Sequence, residues 1–317
     1  MIFLFDLLRQ GMQWVLVLAL APILIGVIRK VKARLLRRQG ASIFQPWRDI
    51  LRLFRKDLVI AENASWVYRF APYIIFSLTW VAASLVPTFA TGLIFSWSAD
   101  LIVIAALLGS ARFFLALAGM DIGTSFGGIG SSREVMFGSL AEPAMIMIVF
   151  IVSLVAGSTE LTEIASFMLS NTELRVSVGF ALIALVIVVI AENGRIPVDN
   201  PSTHLELTMV HEAMILEYSG RHLAIIELAS SLKLLLYISI IACIFFPWGM
   251  APHDANMEDL FYGVIFYVFK LLISGFLLAL FETSIAKMRV FVVPEFLGGA
   301  LILGLLGMLL AFTTRSL

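Results

Sequence analysis

The sequence predicts an all-α, polytopic membrane protein, because long apolar runs recur along nearly its whole length. Hydrophobic residues make up 61% of the 317 residues, charged residues only 14%, and the mean hydropathy is +1.00. A helix that crosses about 30 Å of hydrocarbon needs roughly 20 apolar residues. We therefore predict eight membrane helices, at approximately 12–29, 70–92, 99–120, 135–157, 175–191, 223–247, 259–281 and 291–312.

The placement of lysine and arginine predicts the orientation of these helices. The segment from Arg29 to Arg69 holds 11 of the 22 basic residues, so it is expected to face the cytoplasm and to leave the N-terminus outside. Charges rather than a small-residue cleavage site follow the first helix, which argues against a cleaved signal peptide. Eight helices return the C-terminus to the outside. We expect a single integral membrane domain, 1–317, with cytoplasmic loops at approximately 29–69, 120–134, 191–222 and 282–290.

The first of these loops contains an amphipathic pattern. Apolar residues recur at helical spacing from Phe44 to Leu58, with basic residues on the other faces. The pattern predicts a helix along the membrane surface. Binding of anionic lipid headgroups and a role in docking a soluble partner or roofing a cavity both remain open. For docking or a cavity, the candidate residues are Arg34, Gln45, Asp49 and, from the second loop, Arg133.

The third and fourth helices carry charges at membrane depth. Arg112 lies in the third helix, Glu134 opens the fourth, and Glu142 lies inside the fourth beside Pro143, which frees a backbone carbonyl and kinks the helix. An acid beside a kink is a candidate proton site. The alternative is an ion pair between Glu142 and Arg112 that only holds the helices together.

Further ionisable residues lie inside later helices, namely Glu227, Lys233 and Lys270. Each is costly in hydrocarbon and is expected to pair with a neighbouring helix or an adjacent subunit. The outer segment 158–174 is expected to form a short surface helix without chemistry of its own.

Ionisable residues are unusually dense between Ala191 and Gly220. Such groups near a bilayer usually line an ion or proton route or a polar ligand pocket. Pro197 and Pro201 bar a regular helix, so the chain is expected to turn there before a helix capped by Ser202 or Thr203. The candidate residues of this segment are Glu192, Arg195, Asp199, Glu206, Glu212 and Glu217.

No metal or redox centre is expected within this chain. Cys243 is the single cysteine and lies in an apolar run, which excludes iron–sulfur and zinc cages built from this chain alone. His204 and His211 are two helical turns apart, too distant on one helix to share a metal. The formal net charge of zero gives no indication of nucleic-acid binding. Any redox centre must therefore belong to a partner.

Five motifs are spread along essentially the whole length of the chain. They are RRQGASIFQPWRDILRLF (37–54), ARFFLALAGMDIGTSFGGIGSSREVMFGSLAEP (111–143), AENGRIPVD (191–199), LEYSG (216–220) and FETSIAKMR (281–289). Together they resemble the eight-helix membrane anchor subunit shared by respiratory complex I, as its subunit 1, and the energy-converting [NiFe] hydrogenases. The second and last motifs resemble the formate hydrogenlyase and hydrogenase-4 branch more than complex I itself.

The resemblance implies a non-catalytic subunit of the prokaryotic inner membrane. Such a subunit joins a peripheral arm, with iron–sulfur clusters and a nickel or quinone site, to antiporter-like ion-pumping subunits. Its cytoplasmic loops would form the floor under the large catalytic subunit, and its acids would begin a proton path. By this resemblance, the coupling residues would be Glu142, Glu192, Arg195, Asp199, Glu206 and Glu217. Further candidates for the proton path, taken from the charge pattern of this chain, are Glu212, Arg112 and Glu134.

The chain departs from the family pattern after Asp199. Ser202 and His204 stand where complex I has acids, and His211 and Glu212 lengthen the segment by about two residues. These differences weaken the case for a quinone pocket, which is the alternative function. They also leave open a hydrogenase-related complex without hydrogenase activity. A stand-alone secondary transporter is disfavoured, because no internal repeat and no matching pair of interrupted helices is present.

Overall fold

The protein was analysed as a computed structural model, which describes residues 2–170, 175–199, 210–252, 255–289 and 292–315. Within these ranges the chain is almost entirely helical, as the sequence predicts, and only isolated bridges join extended residues. The α-helices are α1 (Ile2–Leu35), α2 (Gln45–Phe54), α3 (Trp66–Leu85), α4 (Leu101–Asp121), α5 (Ser125–Ala156), α6 (Leu161–Ser170), α7 (Val176–Glu192), α8 (His211–Ile215), α9 (Gly220–Phe245), α10 (Met257–Ser284) and α11 (Val293–Arg315).

Six helices of the described chain are long and apolar enough to cross a membrane, namely α1, α4, α5, α9, α10 and α11. The two remaining predicted spans coincide with α3, of 20 residues, and α7, of 17 residues. At 1.5 Å per residue, α7 covers only about 26 Å, which is shorter than a typical hydrocarbon core. Eight spans, with both termini outside, therefore stay a prediction. The first helix is longer than predicted and extends past the basic residues to Leu35.

Helix α9 is the centre of the bundle. It buries 78% of its most apolar window, whereas the other five long apolar helices bury 28–39% of theirs. It packs against α1, α2 and α3, while α11 packs against α5 and α7 on the other side of the molecule. Because α9 is enclosed, a charge in its middle must find a partner inside the protein rather than in water.

The amphipathic helix α2 lies where the sequence predicts it. Its N-terminal turn contains Pro46, which suits a position whose backbone N–H would have no partner in the helix. Ile50 is buried against Ala224 and Leu228 of α9, and the Trp47 indole donates a hydrogen bond to the Ala19 carbonyl of α1 at 3.0 Å. The helix is thus fastened to the bundle and lies beside the site described below.

A set of four buried polar residues, which we call the outer polar group, lies near the start of α1: Arg9, Gln10, Gln13 and Thr88. Gln13 donates to the carbonyls of Ser84 and Val86, at 3.0 and 2.7 Å, where α3 ends. Arg9 donates to the carbonyl of Ala255 at 2.6 Å. These side chains satisfy backbone carbonyls that a helix end and a loop leave without partners.

Candidate functional site

Four charged side chains from four helices meet inside the bundle and form what we call the charged cluster: Arg112, Glu142, Glu192 and Lys233. Arg112 of α4 donates to Glu192 at the end of α7 and to Glu142 of α5, the latter at 2.8 Å. Lys233 of α9 lies 2.9 Å from the other carboxylate oxygen of Glu192. It also donates to the Glu192 backbone carbonyl at 2.7 Å, where a cation suits the negative end of the α7 dipole.

Burial differs sharply within the charged cluster. The Glu192 side chain is 4% exposed and lies between two cations, while that of Glu142 is 55% exposed. The ion pair between Glu142 and Arg112 that the sequence left open is present, and a role of Glu142 as a proton site stays a prediction. Glu192 is the member that pairs with both cations of the cluster.

Gly138 of α5 makes room for the charged cluster. A Cβ atom there would lie 3.0 Å from a terminal nitrogen of the Arg112 guanidinium. At Gly109 of α4, a Cβ atom would lie 3.4 Å from Glu142 Oε1, which is an ordinary contact distance. Glycine weakens a helix interior by about 0.5–1 kcal/mol relative to alanine, so its presence at Gly138 has a packing reason here.

A small central cavity of about 40 Å³ adjoins the charged cluster. Arg112, Glu192 and Lys233 line it together with Glu134 and His211. This volume is enough for about two water molecules, and polar groups on several sides give such waters partners. Glu134, which the sequence singled out as a coupling residue, is thereby placed beside Glu192.

A much larger polar cavity, of about 540 Å³, lies between α1, α2, α9 and the segment that follows α7. Nine of its 23 lining residues are charged: Arg29, Lys32, Asp49, Arg52, Lys56, Arg195, Asp199, Glu212 and Glu227. It shares with the small central cavity the residues Asn193, His211, Ile226 and Ser230. The two cavities are therefore neighbours across a thin wall.

On the opposite side of the charged cluster, an apolar groove of about 420 Å³ runs between α4, α5 and α7. It shares Leu108, Arg112 and Glu192 with the small central cavity, and Glu142 lines it. The large polar cavity, the small central cavity and the apolar groove thus lie in series, with the charged cluster at the second junction.

Two further ion-pair groups fix the walls of the large polar cavity. Asp199 is 7% exposed in its side chain, lies 2.9 Å from the Lys287 ammonium, and accepts the Val210 backbone N–H at 3.2 Å. Glu282 at the end of α10 is almost fully buried between Lys32 of α1, at 2.8 Å, and Arg195, at 3.4 Å. The segment after α7 is therefore tied to both α1 and α10.

His211 begins the short helix α8, in the wall between the two polar cavities. Burial and, to a smaller extent, the neighbouring Lys233 lower its pKa from the ordinary value of 6.5 to about 4, against the opposite effect of Asp199. His211 is therefore neutral at pH 7. A neutral imidazole can accept a proton on one nitrogen and release one from the other.

The structure brings most of the predicted coupling residues together. Arg112, Glu142 and Glu192 belong to the charged cluster, and Glu134 lines the small central cavity beside it. Arg195, Asp199 and Glu212 line the large polar cavity. Glu217 is exposed and lines none of these cavities. Glu206 and His204 lie outside the described residues, as does the start of the helix expected after Ser202 or Thr203. Among the described residues, the short helix α8 begins at His211.

The residues predicted for docking or a cavity are spread out. Asp49 lines the large polar cavity. The Gln45 side-chain amide, one turn earlier in α2, donates a hydrogen bond to the Asp49 carboxylate at 2.8 Å. Arg34 is exposed at the end of α1, and Arg133 is part-buried near the start of α5. Neither Arg34 nor Arg133 lines that cavity.

Sequence reasoning missed the partners of several charges. It named Lys233 without assigning it to Glu192, and it did not foresee the pairing of Glu282 with Lys32 or of Asp199 with Lys287. These pairs join residues that are far apart in the chain. The one local signal was the placement of Glu282 and Lys287 in a single motif at the end of a membrane helix.

Within the described residues, no group of three or more His, Cys, Asp or Glu side chains has the arrangement of a metal site.

Several known proteins are similar to this chain in sequence or in fold. The profile of the NADH dehydrogenase family matches residues 10–313. Formate hydrogenlyase subunit 4 of Escherichia coli strain K12 is 31% identical over 287 residues, which cover 89% of this chain and 91% of that relative. Hydrogenase-4 component C of the same organism is 32% identical over 277 residues, 87% of each chain.

More distant matches extend the same relationship. An NADH-quinone oxidoreductase subunit of Salinibacter ruber is 25% identical over 253 residues, 76% of this chain and 72% of that relative. A solved structure of the membrane-bound sulfane sulfur reductase, an archaeal respiratory membrane complex, aligns with 96% of this chain and 99% of its own at a TM-score of 0.82 and 22% identity. The resemblance predicted from the motifs is confirmed.

Proposed function

This chain belongs to the NADH dehydrogenase family, and we propose that it is the non-catalytic membrane subunit that couples electron transfer in a peripheral arm to ion movement. In this role it anchors the arm in the inner membrane of a prokaryote and passes protons, or sodium ions, towards antiporter-like membrane subunits. Its relatives of 31% and 32% identity are subunits of formate hydrogenlyase and of hydrogenase-4. The iron–sulfur clusters and a nickel–iron centre would belong to partner subunits.

The series of cavities is the observation that supports this proposal best. Polar side chains continue from the large polar cavity, through the small central cavity, to Glu142 at the edge of the apolar groove. Ionisable groups inside a membrane protein usually mark an ion or proton route. A redox change above the large polar cavity would alter the electrostatic field on Asp199 and Glu192 and so shift protons along this series.

The alternative is a quinone-binding subunit of a complex I-like dehydrogenase. The volume of the large polar cavity, about 540 Å³, suits a small ligand, and α1 and α2 line it as a quinone entry from the membrane would require. However, nine charged residues line it, whereas ligand sites of this size are mostly apolar. A quinone ring would leave several of these charges without solvent, so the coupling role is favoured.

The test uses the whole complex in sealed proteoliposomes, with reduced methyl viologen as electron donor. Glu142→Gln and Asp199→Asn are expected to lower ion uptake per electron while the complex stays assembled. Glu163→Gln, the same kind of change on the exposed face of α6, serves as the control. Ion uptake at the wild-type rate in both variants would contradict the coupling role. Hydrogen evolution supports the hydrogenase-type assignment, whereas quinol formation from decylubiquinone without hydrogen supports the alternative.

A further inference from the structure

The wall between the large polar cavity and the small central cavity is formed by four residues: Asn193, His211, Ile226 and Ser230. Ile226 has no polar side-chain atom. The Asn193 side-chain amide donates to the Val189 carbonyl at 2.8 Å, and neither an amide nor a serine hydroxyl titrates near neutral pH. Among the described residues, His211 is therefore the single titratable side chain that reaches both cavities.

We propose that His211 is the proton-transfer residue between these two cavities, so that a proton from the large polar cavity reaches the charged cluster through its imidazole ring. One ring nitrogen accepts the incoming proton, and the other releases its own proton into the small central cavity. The proton count is balanced, no electron moves, and a flip of the imidazole ring returns it to its first tautomer, ready for the next proton. This proposal rests on the coupling function proposed above.

The electrostatic surroundings suit a transient cation at His211. Ionisable groups that line the two cavities come from seven helices and from the segment after α7: Arg112 of α4, Glu134 of α5, Glu192 of α7, Arg195 and Asp199 of the segment after α7, Glu212 of α8, Glu227 and Lys233 of α9, Arg29 and Lys32 of α1, and Asp49, Arg52 and Lys56 in and after α2. The positive charge of Lys233 disfavours the protonated ring, while the negative charge of Asp199 favours it. A relay requires that balance, since a ring that held its proton would block the path.

A carboxylate beside His211 is already bound by other groups. Asp199 lies 2.9 Å from the Lys287 ammonium and accepts the Val210 backbone N–H, next to His211. An imidazole in the wall supplies the proton carrier at a point where that carboxylate is held by other partners.

The experiment compares His211→Gln and His211→Ala with the same two substitutions at His222. His222 is a matched control, because it is buried on the next helix between Tyr73 and Tyr218 and lines neither cavity. The complexes are placed in proteoliposomes with reduced methyl viologen, and proton and sodium uptake are measured per electron and per assembled complex. We expect proton uptake to fall about 100-fold in both His211 variants, the lower end of what a positioned proton-transfer group contributes. The His222 variants should keep the wild-type ratio.

Added imidazole separates proton transfer from a structural role. The large polar cavity is wide enough to admit it, so imidazole should restore proton uptake to His211→Ala and leave both His222 variants unchanged. Wild-type uptake in the His211 variants, or a loss that imidazole does not restore, would overturn the proposal and leave the coupling function standing. If the complex with His211→Ala does not assemble, the proton uptake per electron of His211→Gln decides whether the proposal stands. A wild-type complex that moves only sodium overturns the role of His211 alone, and one that moves neither ion overturns the coupling function itself.

Discussion

The outer polar group and the charged cluster both contain buried polar side chains, yet their partners differ in kind. Gln13 donates to backbone carbonyls, which do not titrate, and Arg9 donates to the Ala255 carbonyl, with the partly exposed Asp6 carboxylate 4.0 Å away. Arg112 and Lys233 donate to the carboxylate of Glu192, which is only 4% exposed and can gain or lose a proton. Burial of polar groups is therefore not in itself a sign of function here. The distinguishing features are a buried carboxylate between two cations and the cavities beside it.

The largest expected effect is that of Glu192→Gln. The substitution leaves two cations, Arg112 and Lys233, without their shared carboxylate, which is only 4% exposed. Removing one partner of a buried ion pair costs about 3–5 kcal/mol. We expect a lower free energy of unfolding, measured by thermal unfolding of the purified subunit in detergent, and loss of coupled ion uptake. Glu258→Gln, on the exposed first turn of α10, is the matched control. Equal melting temperatures would refute the central place given to Glu192.

Gln13→Leu tests the other side of the comparison. Leucine has a similar volume, so the main loss is the two hydrogen bonds to the carbonyls of Ser84 and Val86. A buried acceptor that loses its donor costs about 1–3 kcal/mol, and we expect the melting temperature to fall accordingly. Ion uptake per assembled complex should stay at the wild-type value, because no proton-exchanging group is removed.

The neighbouring Gln10 provides a graded control for this prediction. Its amide makes one long hydrogen bond, of 3.4 Å, to the Ser84 carbonyl, and its own carbonyl oxygen has no hydrogen-bond partner among the described residues. Gln10→Leu should therefore lower stability less than Gln13→Leu. A loss of coupled ion uptake in either variant would break the distinction between the two regions, since the outer polar group would then take part in transport.

The sequence predicted the fold well, because the fold depends on local signals. Each signal lies within one segment of the chain. Runs of about 20 apolar residues predict membrane helices, and the helical spacing of apolar residues around Ile50 predicts α2. The first helix was predicted too short because its basic C-terminal turns continue as helix beyond the apolar run. A hydropathy pattern marks where a helix is apolar rather than where its hydrogen bonding ends.

The site was predicted only in part, for a physical reason. Residue type shows that a charge in a membrane helix needs a partner, but not which of several helices supplies it. Arg112 lies 80 positions before Glu192 in the chain, and Lys233 lies 41 positions after it. Those pairings follow from the packing of α4, α7 and α9. The role of His211 likewise depends on two cavities whose walls come from separate segments, so no spacing in the sequence could indicate it.

Gly138→Ala is expected to have the smallest effect, and it tests whether the geometry of the charged cluster matters as much as its composition. The added methyl group would lie 3.0–3.2 Å from the Arg112 guanidinium, which must shift by a few tenths of an ångström. A displacement of this size at a site that depends on orientation should lower ion uptake roughly two- to tenfold, while every charge remains. Gly128→Ala, on the same helix with open space around it, controls for the gain in helix propensity of about 1 kcal/mol. Equal ion uptake in the two variants would mean that the charged cluster tolerates a displacement of Arg112. Its charges would then act through their combined electrostatic field rather than through the individual hydrogen bonds of Arg112.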